Sequence, residues 1–400
     1  MKSNYKKLGN YIVQKGEPNK DLITTNLLGI SNAKYFVKAK TNLNGIDLSK
    51  YRIVERNQFA FNRATTRNGD KISIALREAK TCIVSPSYRI FEVKNESELD
   101  PQYLMMWFRR PEFDRYARFK SHGSAHEFFD YEEMCDIELP IPSIDKQREI
   151  VREYNVVNNR IILNEKFNKK LEDTVQAIYT HWFVDFEFPI SREYANCISK
   201  PELEGQPYKS SGGEMRYCED LKQSIPIMWK LAELGQLSEI KAGGDRPKLV
   251  SDTVTEKCAI PIYSNSTENE GLYGYTNKPK INKKSITVSA RGAIIGYTVL
   301  RLESFFPIVR LIVVTPNDEH LLNYVFESIK LFQFDSTASA QGQLTAPEMK
   351  VQKLLLPDSN TLNEYQKLTV VILNKIASNK NQNKTLRYFE NILLKKLAKV

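Results

Sequence analysis

The sequence predicts an α+β fold: two similar α+β domains, each followed by a long helix able to pack along its length against the other, in an internal repeat. Three observations carry that expectation. Two stretches free of proline and glycine, Asp145 to about Phe183 and Thr361 to Val400, hold their seam residues at alternating steps of three and four. The segment ahead of each shows short alternating apolar runs bounded by Gly, Ser, Pro and Asn. The parts also recur in order: Leu8-Gly9 matches Leu234-Gly235, 226 positions later, and Leu139-Pro140 matches Leu356-Pro357, 217 positions later. The chain then divides into a first domain, 1–143, and a central helix with its exit, 144–198. A polar Gly/Pro/Ser-rich linker, 199–226, leads to a second domain, 227–359, and a C-terminal helix, 360–400.

In the first domain, "NGDKISIALREAKTCIVSPSYRIFEV" (68–93) reads as strands of a twisted antiparallel sheet, followed by a helix over Pro101–Phe119. "SHGSAHEFFDYEEMCDIELP" adds a small-residue loop, a helical turn around Glu133-Met134, and a closing strand. The second domain repeats these features in "KSITVSARGAIIGYTVLRLESFFPIVRLIVVTP", a helix over Glu319–Phe332, and "TASAQGQLTAPEMKVQKLLLP".

At "ELPIPSIDKQREIVREYNVVNNRI" a proline-studded strand end gives way to helical spacing, with Ser143 as expected N-cap and Lys146 where a capping-box acid would stand. The seam runs Ile150, Tyr154, Val157, Ile161, Asn164, Asn168, Leu171, Val175, Ile178. The second helix has Thr369, Ile372, Ile376, Asn379, Asn383, Leu386, Glu390, Leu393, Leu397. Each carries two asparagines midway, which mark either a solvated stretch or a device that penalises wrong register.

Lys+Arg 58 against Asp+Glu 48 gives a formal charge of +10, which suits a polyanionic partner and excludes an acidic mimic of one. No apolar run reaches the eighteen or so residues of a membrane span, and "MKSNYKKLGNYIV" lacks a signal-peptide core, so a cytoplasmic location without membrane association is expected. Five scattered cysteines form no C-x-x-C pair and are expected to be structural thiols. There is no "GK", no "PP" and no G-x-G-x-x-G, hence no P-loop, amino-methyltransferase loop or dinucleotide fingerprint. His122 and His126 stand four apart, but the surrounding Gly and Ser point to a loop and not to a helical metal pair. No catalytic residue, cofactor or metal is assigned.

The ordered set "LPIPSIDKQREIV", "AIYTHWFVDFEFP", "IPIMWKLAELGQL" and "ITVSARGAIIGYTV" resembles the specificity subunit of type I restriction–modification systems, as does "FAFNRATTRNGDKISIAL" in the first domain. The first domain lacks the proline and tryptophan that precede Leu-Gly in the second, and the second helix ends without W-F-V-D-F. The resemblance implies two target-recognition domains on two antiparallel helices, each reading one half of a bipartite double-stranded DNA target. It further implies two methyltransferase (modification) subunits docked on the helices, with restriction/translocase subunits able to join, and no chemistry in the subunit itself. A self-contained DNA methyltransferase or nuclease, and a protein-binding adaptor that never touches DNA, are the competing readings.

Polar loop residues beside strands are the candidate DNA contacts. In the first domain they are Asn62, Arg63, Thr65, Thr66, Arg67, Ser87, Arg89, Ser121, His122, Ser124 and His126. In the second they are Lys241, Arg246, Ser264, Asn265, Ser289, Arg291, Gln341 and Gln343. Arginine suits guanine and Asn or Gln suits adenine, whereas the run Lys278, Lys280, Lys283, Lys284 suits phosphates. Helices of this length imply half-sites about one DNA turn apart, and shortening either by a heptad would change the unread spacer.

Overall fold

In the computed structural model, residues 4–39, 45–64, 71–121, 127–334 and 343–399 are described. The chain forms two compact units, one of residues 1–166 with 380–400, the other of residues 167–379. Both boundaries fall inside long helices, so each unit is a globule together with its own stretch of paired helix.

The first unit is built on a four-stranded antiparallel sheet in the order Ile12–Lys15, Tyr88–Val93, Gln58–Asn62, Ile74–Leu76. Its strands obey the period of two. Phe59, Phe61, Ile74, Leu76, Phe91 and Val93 face a large core that includes the helix Pro101–Phe108. Ala60, Ala75 and Ile90 face a smaller one shared with Val54, Cys82 and Val84. Helix is interrupted where one was expected to run through 101–119. Pro111 starts a second helix, Pro111–Lys120, because its missing N–H and fixed φ fit a first turn and not an interior.

The second unit repeats this sheet as Ser238–Ala242, Leu311–Pro316, Ser285–Ser289, Thr298–Arg301. Tyr5–Lys7 pairs with Glu138–Pro140 in one unit, and Lys230–Glu233 with Lys353–Leu356 in the other. The Leu-Gly turn that follows each first strand explains its glycine. A Cβ on Gly9 would stand 2.8 Å from the Cβ of Cys135, and one on Gly235 would stand 3.0 Å from that of Lys350. Those partners lie in the short helices Tyr131–Cys135 and Ala346–Lys350, both opened by capping boxes, with Glu133 and Glu348 at equivalent places.

The first long helix spans Ile144–Tyr179, 36 residues, and ends in a π-type turn, Thr180–Val184. Ser143 contributes its carbonyl to the first turn, and the anchoring side chain is that of Gln147. Its amide donates to the carbonyls of Pro142 and Glu98 (both 2.8 Å) and accepts from the N–H of Asp100 at 2.9 Å. The second long helix spans Ser359–Lys396, 38 residues, with Asp358 accepting from the Thr361 N–H at 3.0 Å and from its hydroxyl at 2.7 Å.

Residues 199–226 are folded and do not form a free linker. Met215–Cys218 and Gln223–Pro226 make a hairpin, while Tyr208 and Ile225 are buried in the second unit's core. Tyr208 stacks on Phe188 at 4.6 Å, and Phe188 on Trp229 at 4.9 Å. Glycine, serine and proline here serve tight turns between aromatic anchors, a composition that resembles a linker when only the sequence is read.

Candidate nucleic-acid interfaces and the helix seam

In the second unit, hydrogen bonds draw several loops to one end of the four-stranded sheet. Gly244 exchanges backbone bonds with Pro307 and Val309, the Ile308 N–H donates to the Tyr263 carbonyl, and that of Ala290 to the Arg310 carbonyl. Arg291 forms an isolated β-bridge with Gln343. A Cβ on Gly243 would fall 2.4 Å from the Ile308 carbonyl oxygen, so only glycine permits that approach. Gly244 lies against the Lys280 ammonium.

These loops carry Lys280, Arg291, Arg310 and Gln343. Gln343 accepts a bond from Arg310 Nη1 at 2.6 Å. Arg310 was not among the sequence candidates; its signal is a lone arginine between the apolar runs "FFPIV" and "LIVV". Arg246 bonds the Tyr273 hydroxyl at 3.0 Å with its guanidinium over that ring. Lys278 and Lys283 are exposed, whereas Lys284 pairs with Glu319 (3.2 Å) and Lys241 with Glu239 (2.5 Å). Three expectations change. Ser289 is only 1% exposed, inside the strand Ser285–Ser289, which is buried along both faces. Ser264 turns its N–H and hydroxyl to the Gly271 carbonyl. Asn265 commits its whole side-chain amide to backbone: Oδ1 accepts from Ala290 N (2.9 Å) and Arg291 N (3.3 Å), and Nδ2 donates to Arg291 O (3.0 Å).

The first unit has the corresponding bridge between Ala64 and Phe128. Arg63 and Arg89 both bind the Asp130 carboxylate at 3.0 Å, and Arg63 also covers the Phe128 ring at 4.2 Å. Asp130, at the N-cap of the helix Tyr131–Cys135, thus holds two arginines, one within the strand Tyr88–Val93 and one just past the strand Gln58–Asn62. Asn62 accepts from the Ala64 N–H at 3.1 Å, Ser87 is exposed in a turn, and Ser121 bonds the Ala117 carbonyl at a helix end. Thr65, Thr66, Arg67, His122, Ser124, His126 and Gln341 lie outside the described residues. Among the described residues no group of three or more His, Cys, Asp or Glu is placed to hold a metal. Burial pushes the Cys82 thiol up to about 11, against a smaller opposing effect of Arg77, which leaves it protonated and inert at neutral pH.

The seam asparagines are buried and paired. In the first unit Asn164 Nδ2 donates to Asn383 Oδ1 at 2.8 Å; in the second, Asn379 Nδ2 donates to Asn168 Oδ1 at 2.8 Å. Of the two readings of these asparagines, burial and mutual pairing exclude a solvated stretch and agree with a device that penalises wrong register. Around them Ile161, Val175, Ile376 and Leu397 are buried, while Ile150, Val157, Leu171, Ile178, Ile372, Leu386 and Leu393 are half-buried. In the first unit Tyr154 donates to Glu390 at 2.5 Å and accepts from Arg109 at 3.0 Å; burial raises its phenol pKa and keeps the donated proton in place. Asn379→Leu is expected to cost about 1–3 kcal/mol by stranding the Asn168 amide, with Asn168→Leu/Asn379→Leu recovering most of it. Urea unfolding of the three chains checks this.

Comparison with known proteins agrees with this arrangement. Residues 226–388 match the family described as "Type I restriction modification DNA specificity domain". A Mycoplasma pneumoniae protein named as a type I specificity subunit is 36% identical over 145 residues, 35% of this chain and 39% of that one. The chain therefore spans about two-fifths of the length of that relative. The specificity subunit of the Haemophilus influenzae HindI type I restriction enzyme is 21% identical over 435 residues, covering 95% of this chain and 94% of that one. The crystal structure of a type I restriction–modification S subunit from M. genitalium superposes with a TM-score of 0.57 at 15% identity, covering 98% of this chain and 95% of that one, and shares its fold. With the duplicated sheets, the matched bridges and the asparagine-paired helices, these findings show a type I restriction modification DNA specificity domain over residues 226–388 and a chain similar along most of its length to specificity subunits of type I restriction–modification systems.

Proposed function

We propose that the chain is a non-catalytic subunit that recognises a bipartite duplex DNA target, one half through each unit, and docks two methyltransferase subunits on its helices. The observation that carries this reading is the repetition of one sheet order and one edge bridge in both units, each gathering basic loops at the same end of its sheet. Two equivalent surfaces suit two equivalent stretches of DNA.

The helices supply a parallel argument for two partners. Val156 and Val371, 215 positions apart like the seam asparagines, are 72% and 69% exposed, an unusual state for valine on a helix and one that a docked partner would relieve. Restriction/translocase subunits join through the methyltransferases on this reading. Among the described residues no helix is long and apolar enough to cross a membrane.

The test is to map methylated bases in cells that carry the chain with its methyltransferase. A bipartite motif with an unread spacer is the expected result, and a short uninterrupted motif overturns the reading. Binding is also expected to fall steeply with salt, on the order of a thousandfold between 50 and 200 mM for six phosphate contacts. A flat salt response in filter binding contradicts it.

A further inference from the structure

Arg291 differs from its neighbours in how it is held. Its N–H and carbonyl are bonded by the Asn265 amide, and its main chain bridges Gln343. Gly292 then takes φ +79° to open the turn Gly292–Ile294. The Arg291 guanidinium, in contrast, is exposed and among the described residues has no hydrogen bond, ion pair or ring partner. The constrained backbone fixes where this side chain departs from the main chain, and its unpaired guanidinium leaves the planar fork open to a bidentate acceptor.

Among the described residues the first unit shows no such group at the equivalent place. Ala64 occupies its bridge, and the nearby Arg63 and Arg89 are both engaged by Asp130. The two units share a frame but present different chemistry on it.

We propose that Arg291 reads a guanine in the half-site taken by the second unit, donating to O6 and N7 in the major groove, and that Asn265 is the positioning residue that aims it. This rests on the DNA-recognition reading above. Among the described residues the guanine contact made from the second unit's bridge has no counterpart at the first unit's, where Arg63 and Arg89 are held by Asp130.

The experiment is selection of bound duplexes from a randomised pool by the full chain together with the subunits that co-purify with it. Wild type is expected to return a bipartite motif. Arg291→Ala should lose roughly five- to 150-fold discrimination at one guanine in one half-site and keep every other position. Asn265→Ala should relax that same guanine, and Asn265→Asp, which keeps the two accepting bonds, should restore most of the preference; melting temperatures of both identify any loss of folding. An unchanged motif, or uniform weakening at all positions, for Arg291→Ala overturns the proposal while the recognition reading stands. Retention of the guanine by a folded Asn265→Ala overturns the positioning role. A wild-type chain that returns no motif overturns the recognition reading itself, and the proposal with it.

Discussion

Asp114→Ala is expected to destabilise the first unit by about 3–5 kcal/mol, the usual cost of stranding one partner of a buried ion pair. Lys34 is 5% exposed, with its ammonium 2.8 Å from Asp114 Oδ1, 2.5 Å from the Phe108 carbonyl and 5.3 Å from the centre of the Phe113 ring. The same carboxylate accepts from the Ile72 N–H at 3.2 Å, so its loss leaves a cation and a backbone donor without their anion. Burial already lowers the Lys34 pKa, and Asp114 opposes that fall. Without Asp114 the pKa drops further. The unfolded chain then binds more protons than the folded one between that lowered value and the normal lysine range, so the variant should regain stability as pH rises through that window. Lys34→Met/Asp114→Leu should recover part of that loss, because no charge remains to desolvate while the Ile72 N–H and the Phe108 carbonyl stay unpaired. Urea unfolding followed by hydrogen exchange at the Ile72 amide measures all three, and an Asp114→Ala chain within about 1 kcal/mol of wild type would sink the assignment.

A paired heptad deletion should have the largest functional effect. Removing 158–164 from the first long helix and 383–389 from the second takes out register-matched segments, since Asn164 meets Asn383. The Asn168–Asn379 pair remains, and the seam still steps by four from Val157 to Asn168 and from Asn379 to Glu390. About 10 Å of helix disappears at 1.5 Å per residue, equivalent to about three base pairs. Methylation mapping should return the same two half-sites with a spacer shorter by about that amount. An unchanged spacer in a folded, active complex refutes the proposed ruler. The spacer change expected from the sequence for shortening either helix alone is revised by these pairs: a single deletion moves one asparagine of each pair off its partner, so both helices must be shortened together.

Much of this architecture was legible because its signals are periodic. The step of three and four along Ile150 to Ile178 is a one-dimensional trace of a helix packed along its length, and the alternation of Phe59, Ala60 and Phe61 is the trace of a sheet covered on both faces. Leu-Gly and the Glu-Met turns were readable because each is a local contact recurring at a fixed offset.

The interface was less legible, because its residues are defined by partners far away in sequence. Asn265 carries the composition of a base reader and the geometry of a clamp. Ser289 stands one residue from the loop, yet it ends a strand that is covered on both faces. Arg63 and Arg89 look like free cations until Asp130, 41 residues beyond Arg89, is placed between them. Residues 199–226 misled for a related reason, since turn-rich composition does not reveal the aromatic stacking that fixes it.

The Gln147 amide has a mechanical consequence. Two of its three bonds join the opening of the first long helix to the carbonyl of Glu98 and the N–H of Asp100, beside the helix Pro101–Phe108. The helix cannot swivel about its axis beneath that globule without breaking them. Any rotation of the globule as it seats on a ligand is therefore delivered to the helix as torque, and the amide acts as a key in a shaft.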